Sequence, residues 1–172
     1  QASFTQAITF KPDYAEAHSN LGATLKELGR LNEAILCHTQ AIKLKPDFAE
    51  AHNNLGNTLR ELGRLNESKA SLMQSIALTP NYADAHNNLG ITLTELGRFE
   101  EAEVSFMHSI TLKPNHSEFH SNLGNVLKHL GRLDDAEASY LKAITLNPEN
   151  ADAYNNLGNI LKDLGRFEEA ET

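Results

Sequence analysis

AEAHSNLGATLKELGRLNEAILCHTQAIKLKPDF, residues 15–48, is one copy of a unit that returns along the rest of the 172-residue chain. Pro12, Pro46, Pro80, Pro114 and Pro148 lie 34 apart. The ten glycines form two series with the same period, Gly22, Gly56, Gly90, Gly124, Gly158 and Gly29, Gly63, Gly97, Gly131, Gly165. All chain-breaking residues therefore serve as repeat punctuation, and no glycine remains for a phosphate loop or a catalytic turn. The chain reads as a repeat array rather than a globular enzyme domain.

Inside the quoted stretch, Ala17, Leu21, Thr24, Leu25 and Leu28 fall on one stripe of a helix. After Gly29, Leu31, Ala34, Ile35, His38, Ala41 and Ile42 form a second stripe, so each repeat is predicted to be a helical hairpin. The copies span 15–48, 49–82, 83–116 and 117–150, followed by an incomplete one at 151–172 and preceded at 1–14 by the second helix of another repeat. Asp13, Asp47 and Asn81, each three residues before an acid, are expected to cap the first helix. Gly29 and its equivalents suit the left-handed position that ends it, and Pro46 and its equivalents stop the second helix. Gly22 and its equivalents lie inside the first helix, at a cost of roughly 1 kcal/mol each against alanine. Close approach of the second helix at Ala34, Ser68, Ala102, Ala136 and Ala170 is the expected compensation.

Lys and Arg number 15 against 23 Asp and Glu, a formal charge of -8. That balance argues against a nucleic-acid partner and favours a neutral or mildly basic protein or peptide. No long apolar run and no charged-then-apolar leader is visible, so neither a membrane span nor a signal peptide is expected. Cys37, the single cysteine, excludes an internal disulfide and fits a reducing compartment, from which we expect a cytoplasmic location.

The recurring small residue, Leu-Gly, Ala and Pro at fixed places in 34 residues resemble the tetratricopeptide repeat. His18, His52, His86 and His120 depart from it, standing where that family usually has Trp or Tyr; Tyr154 keeps the aromatic, and Ser75 and Ser109 replace a customary Ala. The resemblance implies an all-α fold, a right-handed α-solenoid of helix-turn-helix repeats whose first helices line a concave groove. It implies no particular ligand.

On a helical wheel of about 100° per residue, repeat positions 2, 5, 6, 9, 12 and 13 share an arc opposite the leucine stripe. Position 6 is Asn20, Asn54, Asn88, Asn122 and Asn156; position 5 adds Asn53, Asn87 and Asn155; position 9 adds Asn57, Asn125 and Asn159. A carboxamide both donates and accepts, so a row of them can pair with the backbone of an extended peptide whatever its side chains. The row resembles the asparagine ladder in the tetratricopeptide arm of O-linked N-acetylglucosamine transferases, where such residues hold acceptor polypeptides. The same amides can instead tie neighbouring helices together, and both uses stay open here.

Position 2 is acidic throughout (Glu16, Glu50, Asp84, Glu118, Asp152), position 12 supplies Lys26, Arg60, Lys128 and Lys162, and position 13 supplies Glu27, Glu61, Glu95 and Asp163. The face is thus net negative, with helix-dipole service as the plainer use of the position-2 acids. Chaperone-binding members of the family clamp a terminal carboxylate with lysines at places that are acidic or amide here.

No catalytic residue, metal site or cofactor is expected. Histidines one repeat apart sit on helices whose axes pack at roughly 8 to 10 Å, too far for one zinc ion. Cys37 lacks a Cys or His equivalent, and the Arg30 series is expected to pair with acids such as Glu33 and Glu67. Met73, Met107 and Leu141 share one position, read as core packing first and as an apolar strip on or near the convex side second. The uncapped ends suggest a fragment of a longer solenoid that stacks head to tail. The sequence supports a non-catalytic interaction scaffold first, the substrate-recognition arm of a larger enzyme such as a glycosyltransferase second, and a self-assembling structural array third.

Overall fold

A computed structural model describes residues 2–170, and these are divided into two compact units, one reaching to Thr92 and one starting at Leu93. In the first lie α1 (Ala2–Phe10), α2 (Ala15–Glu27), α3 (Leu31–Leu44), α4 (Ala49–Glu61), α5 (Leu65–Leu78) and α6 (Ala83–Glu95) up to Thr92. The second holds α7 (Phe99–Leu112), α8 (Ser117–His129), α9 (Leu133–Leu146), α10 (Ala151–Asp163) and the short α11 (Phe167–Ala170). The fold is an all-α solenoid of helical hairpins. In the first unit α2 packs on α3, α3 on α4 and α4 on α5; in the second α7 packs on α8, α8 on α9 and α9 on α10.

Each first helix ends as its sequence dictates. Gly29 has φ 72° and Gly131 φ 73°, a region that L side chains avoid. Around Gly29 the Arg30 N–H donates to the Leu25 carbonyl at 2.9 Å and the Gly29 N–H to the Lys26 carbonyl at 2.9 Å, closing the helix end. The helix starts differ from expectation. Tyr14 and Phe48, one residue beyond Asp13 and Asp47, occupy the N-cap positions of α2 and α4, and neither makes a side-chain cap. Their rings instead lie under lysines, Lys11 Nζ at 5.3 Å from the Tyr14 centroid and Lys45 Nζ at 4.8 Å from that of Phe48. In the fifth copy Asn150 stands at this position, and its Oδ1 accepts from the Ala153 N–H at 3.0 Å.

Gly22, Gly56 and Gly124 are required inside their helices, but by a different neighbour from the expected one, whereas over Gly158 the nearest atom is the Ala170 carbonyl oxygen at 3.8 Å, an ordinary contact. A Cβ built on Gly22 would stand 2.6 Å from the His38 ring, on Gly56 2.6 Å from Leu72, and on Gly124 2.7 Å from the Tyr140 ring. The excluded space thus belongs to a large side chain sixteen residues on. The small residues contribute less directly: Ser68, at the Ala34 place, brings its carbonyl to 3.2 Å from the same point over Gly56. Ala34, Ser68 and Ala136 are themselves fully buried.

Two departures from the repeat pattern acquire a physical account. His18, His52, His86 and His120 each place Nε2 2.8 to 3.1 Å from the carbonyl of the proline six residues earlier. A carbonyl only accepts, so each ring carries its proton on Nε2 and clasps the loop entering its own helix. Ser75, where an alanine is customary, donates its hydroxyl to the Ala49 carbonyl at 2.7 Å. Met73, Met107 and Leu141 are not core residues: they are 54%, 53% and 47% exposed on the second helices. The buried place on that helix goes instead to His38, Leu72, Phe106 and Tyr140, one position earlier.

Candidate functional site

The first helices carry the asparagines, and each unit arranges them in its own way. In the first unit they form a chain of amides along α2, α4 and α6. Asn54 Nδ2 approaches Ser19 Oγ at 3.5 Å, Asn53 Nδ2 approaches Asn54 Oδ1 at 3.5 Å, and Asn88 Nδ2 donates to Asn53 Oδ1 at 2.9 Å. The position-6 amide of one repeat thus reaches the position-5 residue of the repeat before it. Asn53 and Asn87 are only 6% and 4% exposed, whereas Asn20 is exposed. Asn57 Oδ1 accepts from Arg60 at 3.2 Å.

In the second unit Asn122, Asn125 and Asn156 line one hollow of about 390 Å³ together with Glu118, Ser121, Asn150 and Asp152. Asn155 and Asn159 are exposed on α10 and are not part of this lining. Asn125 is the fixed point. Its Oδ1 accepts from the Tyr140 hydroxyl at 2.8 Å and from Asn156 Nδ2 at 3.1 Å. Two donors on the oxygen orient the amide, so its Nδ2 remains as donor, while Asn156 keeps its Oδ1 and one N–H. Tyr140 itself is fully buried, and burial pushes its phenol up to about 12, so it stays a hydroxyl donor across the neutral range.

The charged positions on this face are largely engaged in rungs between repeats. Lys26 Nζ pairs with Glu61 at 2.8 Å in the first unit, and Lys128 stands 4.0 Å from Asp163 in the second. Glu16 is held below the usual carboxylate range by a hydrogen bond from its own backbone N–H and by Lys45, 3.1 Å away. Glu118 and Asp152, at the same repeat position, are exposed and make no ion pair among the described residues. Lys162 is exposed on α10.

Outside the site, Arg30 grips Glu33 with two N–H groups at 2.7 and 2.6 Å, as Arg64 does Glu67. Arg132 reaches both Asp135 and Glu103, and Arg166 reaches Glu137. Burial, with the Glu33 charge beside it, raises the Cys37 thiol, which lowers its nucleophilicity at neutral pH. No helix among the described residues is long and apolar enough to cross a membrane.

Sequence reasoning did not find Tyr140 or Asn150 as parts of the site. The signal for Tyr140 was its distance from Gly124, the same sixteen residues that separate Gly56 from Leu72. Only the hydroxyl distinguishes it from Phe106, and nothing in the spacing says where that hydroxyl points.

Family models cover the chain almost throughout. A model described as TPR repeat matches residues 24–59 and 124–165, one described as tetratricopeptide repeat matches 47–115, and a second of that description matches 3–35 and 105–138. The chain belongs to the tetratricopeptide repeat family. Membership makes it, at the coarse level, a protein-interaction scaffold. No curated protein matches it in sequence. Among solved structures it is similar to TTC0263, a thermophilic TPR protein of Thermus thermophilus, with 25% identity, 92% of this chain and 87% of that one covered, and a TM-score of 0.79. PilF of Pseudomonas aeruginosa shares the fold at 23% identity, 91% and 72% coverage and a TM-score of 0.85. YrrB, described as a TPR protein with an unusual peptide-binding site, shares it at 24% identity, 97% and 86% coverage and a TM-score of 0.76.

Proposed function

We propose that this chain is a non-catalytic scaffold that holds an extended polypeptide against the asparagine-bearing faces of its first helices. The observation that carries the reading is the oriented amide pair in the second unit. Asn125 offers N–H donors and Asn156 an acceptor and a donor, the complement of a peptide's C=O and N–H. Side-chain amides that read only the backbone tolerate many sequences, which suits a scaffold. The description of YrrB as a TPR protein with a peptide-binding site supports the same class of ligand. The first unit fits the reading less fully, because Asn53 and Asn87 are buried and Asn53 is spent on its neighbours.

The test is an array of unstructured decapeptide pools, with the chain and its Asn125→Ala/Asn156→Ala variant compared by fluorescence. Removal of two or more backbone hydrogen bonds is expected to weaken binding about tenfold across pools of different sequence. Equal binding by a variant with unchanged helicity removes the reading and leaves the amides as inter-repeat ties.

A further inference from the structure

The first unit has a hollow of its own, of about 300 Å³, lined by Ile35 and Thr39 of α3, Leu55 and Leu59 of α4, Ala70 of α5 and the paired Arg64 and Glu67. Leu55 and Leu59 belong to the leucine stripe of α4, so this hollow lies on the side away from the asparagines. Large apolar side chains stand in water next to it. Leu36, three residues before Thr39, is 69% exposed, and Met73, three after Ala70, is 54% exposed, spacings that keep each on the helix face of a lining residue. An apolar hollow with exposed apolar neighbours marks a surface that another protein covers.

The repeat shows which polar group belongs beside it. In the second unit Arg132 and Arg166, at the place of Arg64, each send Nη1 to an acid 29 residues earlier, Arg132 to Glu103 at 2.7 Å and Arg166 to Glu137 at 2.6 Å. Those acids are sheltered, at 19% and 16% side-chain exposure. The residue 29 before Arg64 is Ile35. Arg64 spends Nε and Nη2 on Glu67, and its Nη1 has no partner among the described residues. Before Arg98 the same place holds Lys69, a like charge, and before Arg30 it is Gln1, outside the described residues. At Arg64 a guanidinium with an unanswered N–H group thus adjoins an apolar hollow, and the second unit shows that a carboxylate is what this nitrogen takes.

We propose that the first-unit hollow docks a partner protein through a leucine-sized apolar side chain that enters between Ile35, Leu55 and Ala70, while an Asp or Glu of the same partner segment reaches Arg64 Nη1. The surface is separate from the asparagine face and does not depend on the peptide reading of that face. A partner segment with Lys or Arg in place of the acid is disfavoured by the guanidinium.

The probe is a displayed random dodecapeptide library selected on the whole chain, with the enriched peptides then synthesised and measured by fluorescence anisotropy. Ile35→Glu installs the acid that the second unit carries at this repeat position, so Arg64 gains an internal partner and the apolar wall is lost. Enriched peptides are expected to combine Leu, Ile, Met or Phe with a nearby Asp or Glu, to bind Ile35→Glu about tenfold more weakly, and to bind Asn125→Ala/Asn156→Ala unchanged. Gln in place of the peptide acid should weaken binding about two- to fivefold, and Arg64→Gln should erase that difference. Arg64→Gln also reads the surface without altering its apolar wall should Ile35→Glu fold poorly. Peptides that bind Ile35→Glu as tightly as the unaltered chain, or a selection that enriches nothing, overturn the proposal. Peptides lost only on Asn125→Ala/Asn156→Ala overturn it while supporting the asparagine face. Sedimentation of the chain alone that shows a dimer, dissolved by Ile35→Glu, assigns the surface to a second copy and overturns the acidic partner.

Discussion

His38 in the first unit and Tyr140 in the second occupy the same repeat position, each sealing the space over a helical glycine, yet only one of them has a partner for its polar atoms. Tyr140 gives its hydroxyl to Asn125 at 2.8 Å. Among the described residues neither nitrogen of His38 has a hydrogen-bond partner, although the ring is fully buried. Leu72, at the same place, has no polar atom to satisfy and packs over Gly56 equally closely. The position therefore demands bulk and leaves the chemistry at the tip free. In one unit that freedom stores a liability; in the other it connects the core to the candidate binding face.

The liability gives the largest expected effect. Burial, and secondarily the charge of Lys26, push the His38 imidazole from 6.5 down to about 4. In the folded chain the ring thus stays neutral where the unfolded chain would protonate. The stability that depends on this is fully present above pH 6.5 and is lost as pH falls toward 4, by on the order of 3 kcal/mol. His38→Leu, which imitates Leu72, is expected to remove that loss. Urea denaturation of both proteins between about pH 7 and pH 4 checks it, with the difference between the two curves separating His38 from carboxylates that also titrate. Curves that stay parallel would mean the His38 site opens to water before the ring protonates, and the comparison with Tyr140 would lose its energetic side.

A smaller effect tests whether the two rings do share a packing role. A methyl on Gly124 would come 2.7 Å from the Tyr140 ring, which is fully buried and cannot swing away. Gly124→Ala is expected to cost about 1 to 2 kcal/mol, an overpacking penalty reduced by the better helix propensity of alanine. The penalty should disappear when Tyr140 is shortened, so the cycle Gly124→Ala with Tyr140→Ala should show coupling above about 1 kcal/mol in thermal or urea unfolding.

These pairings mark the boundary of what the sequence could tell. Period, hairpin and turn were legible because each depends on one residue's backbone preference: Gly131 must adopt positive φ, and Pro46 cannot continue a helix. The asparagines were visible as a face because helical spacing alone puts them there. Contacts between helices were less accessible. Gly22 looked like a partner of Ala34, since both are small, whereas what needs the room is the ring of His38. Asp13 had the chemistry of a cap but stands one residue before the cap position, which Tyr14 fills. Met107 looked like core because it is apolar, but a rotation of one position on the helix gives the buried place to Phe106.

The last prediction joins the two sides of the opening contrast. Tyr140→Phe retains the ring over Gly124 and removes only the hydroxyl, so packing is preserved and stability should fall by about 1 kcal/mol, the worth of one buried hydrogen bond. If Tyr140 were a packing residue as His38 is, nothing else would change. The arrangement around Asn125 requires more: with one of its two donors gone, the amide can turn, and its N–H groups no longer have a fixed direction. Affinity for decapeptide pools should then drop several-fold, while Phe106→Tyr, altering the same repeat position elsewhere in the unit, controls for a change at that position outside the hollow's lining. Loss of stability without loss of affinity in Tyr140→Phe would show that Asn156 alone orients Asn125. Loss of both would make the buried phenol the link by which the core of the second unit sets the reading atoms of its groove.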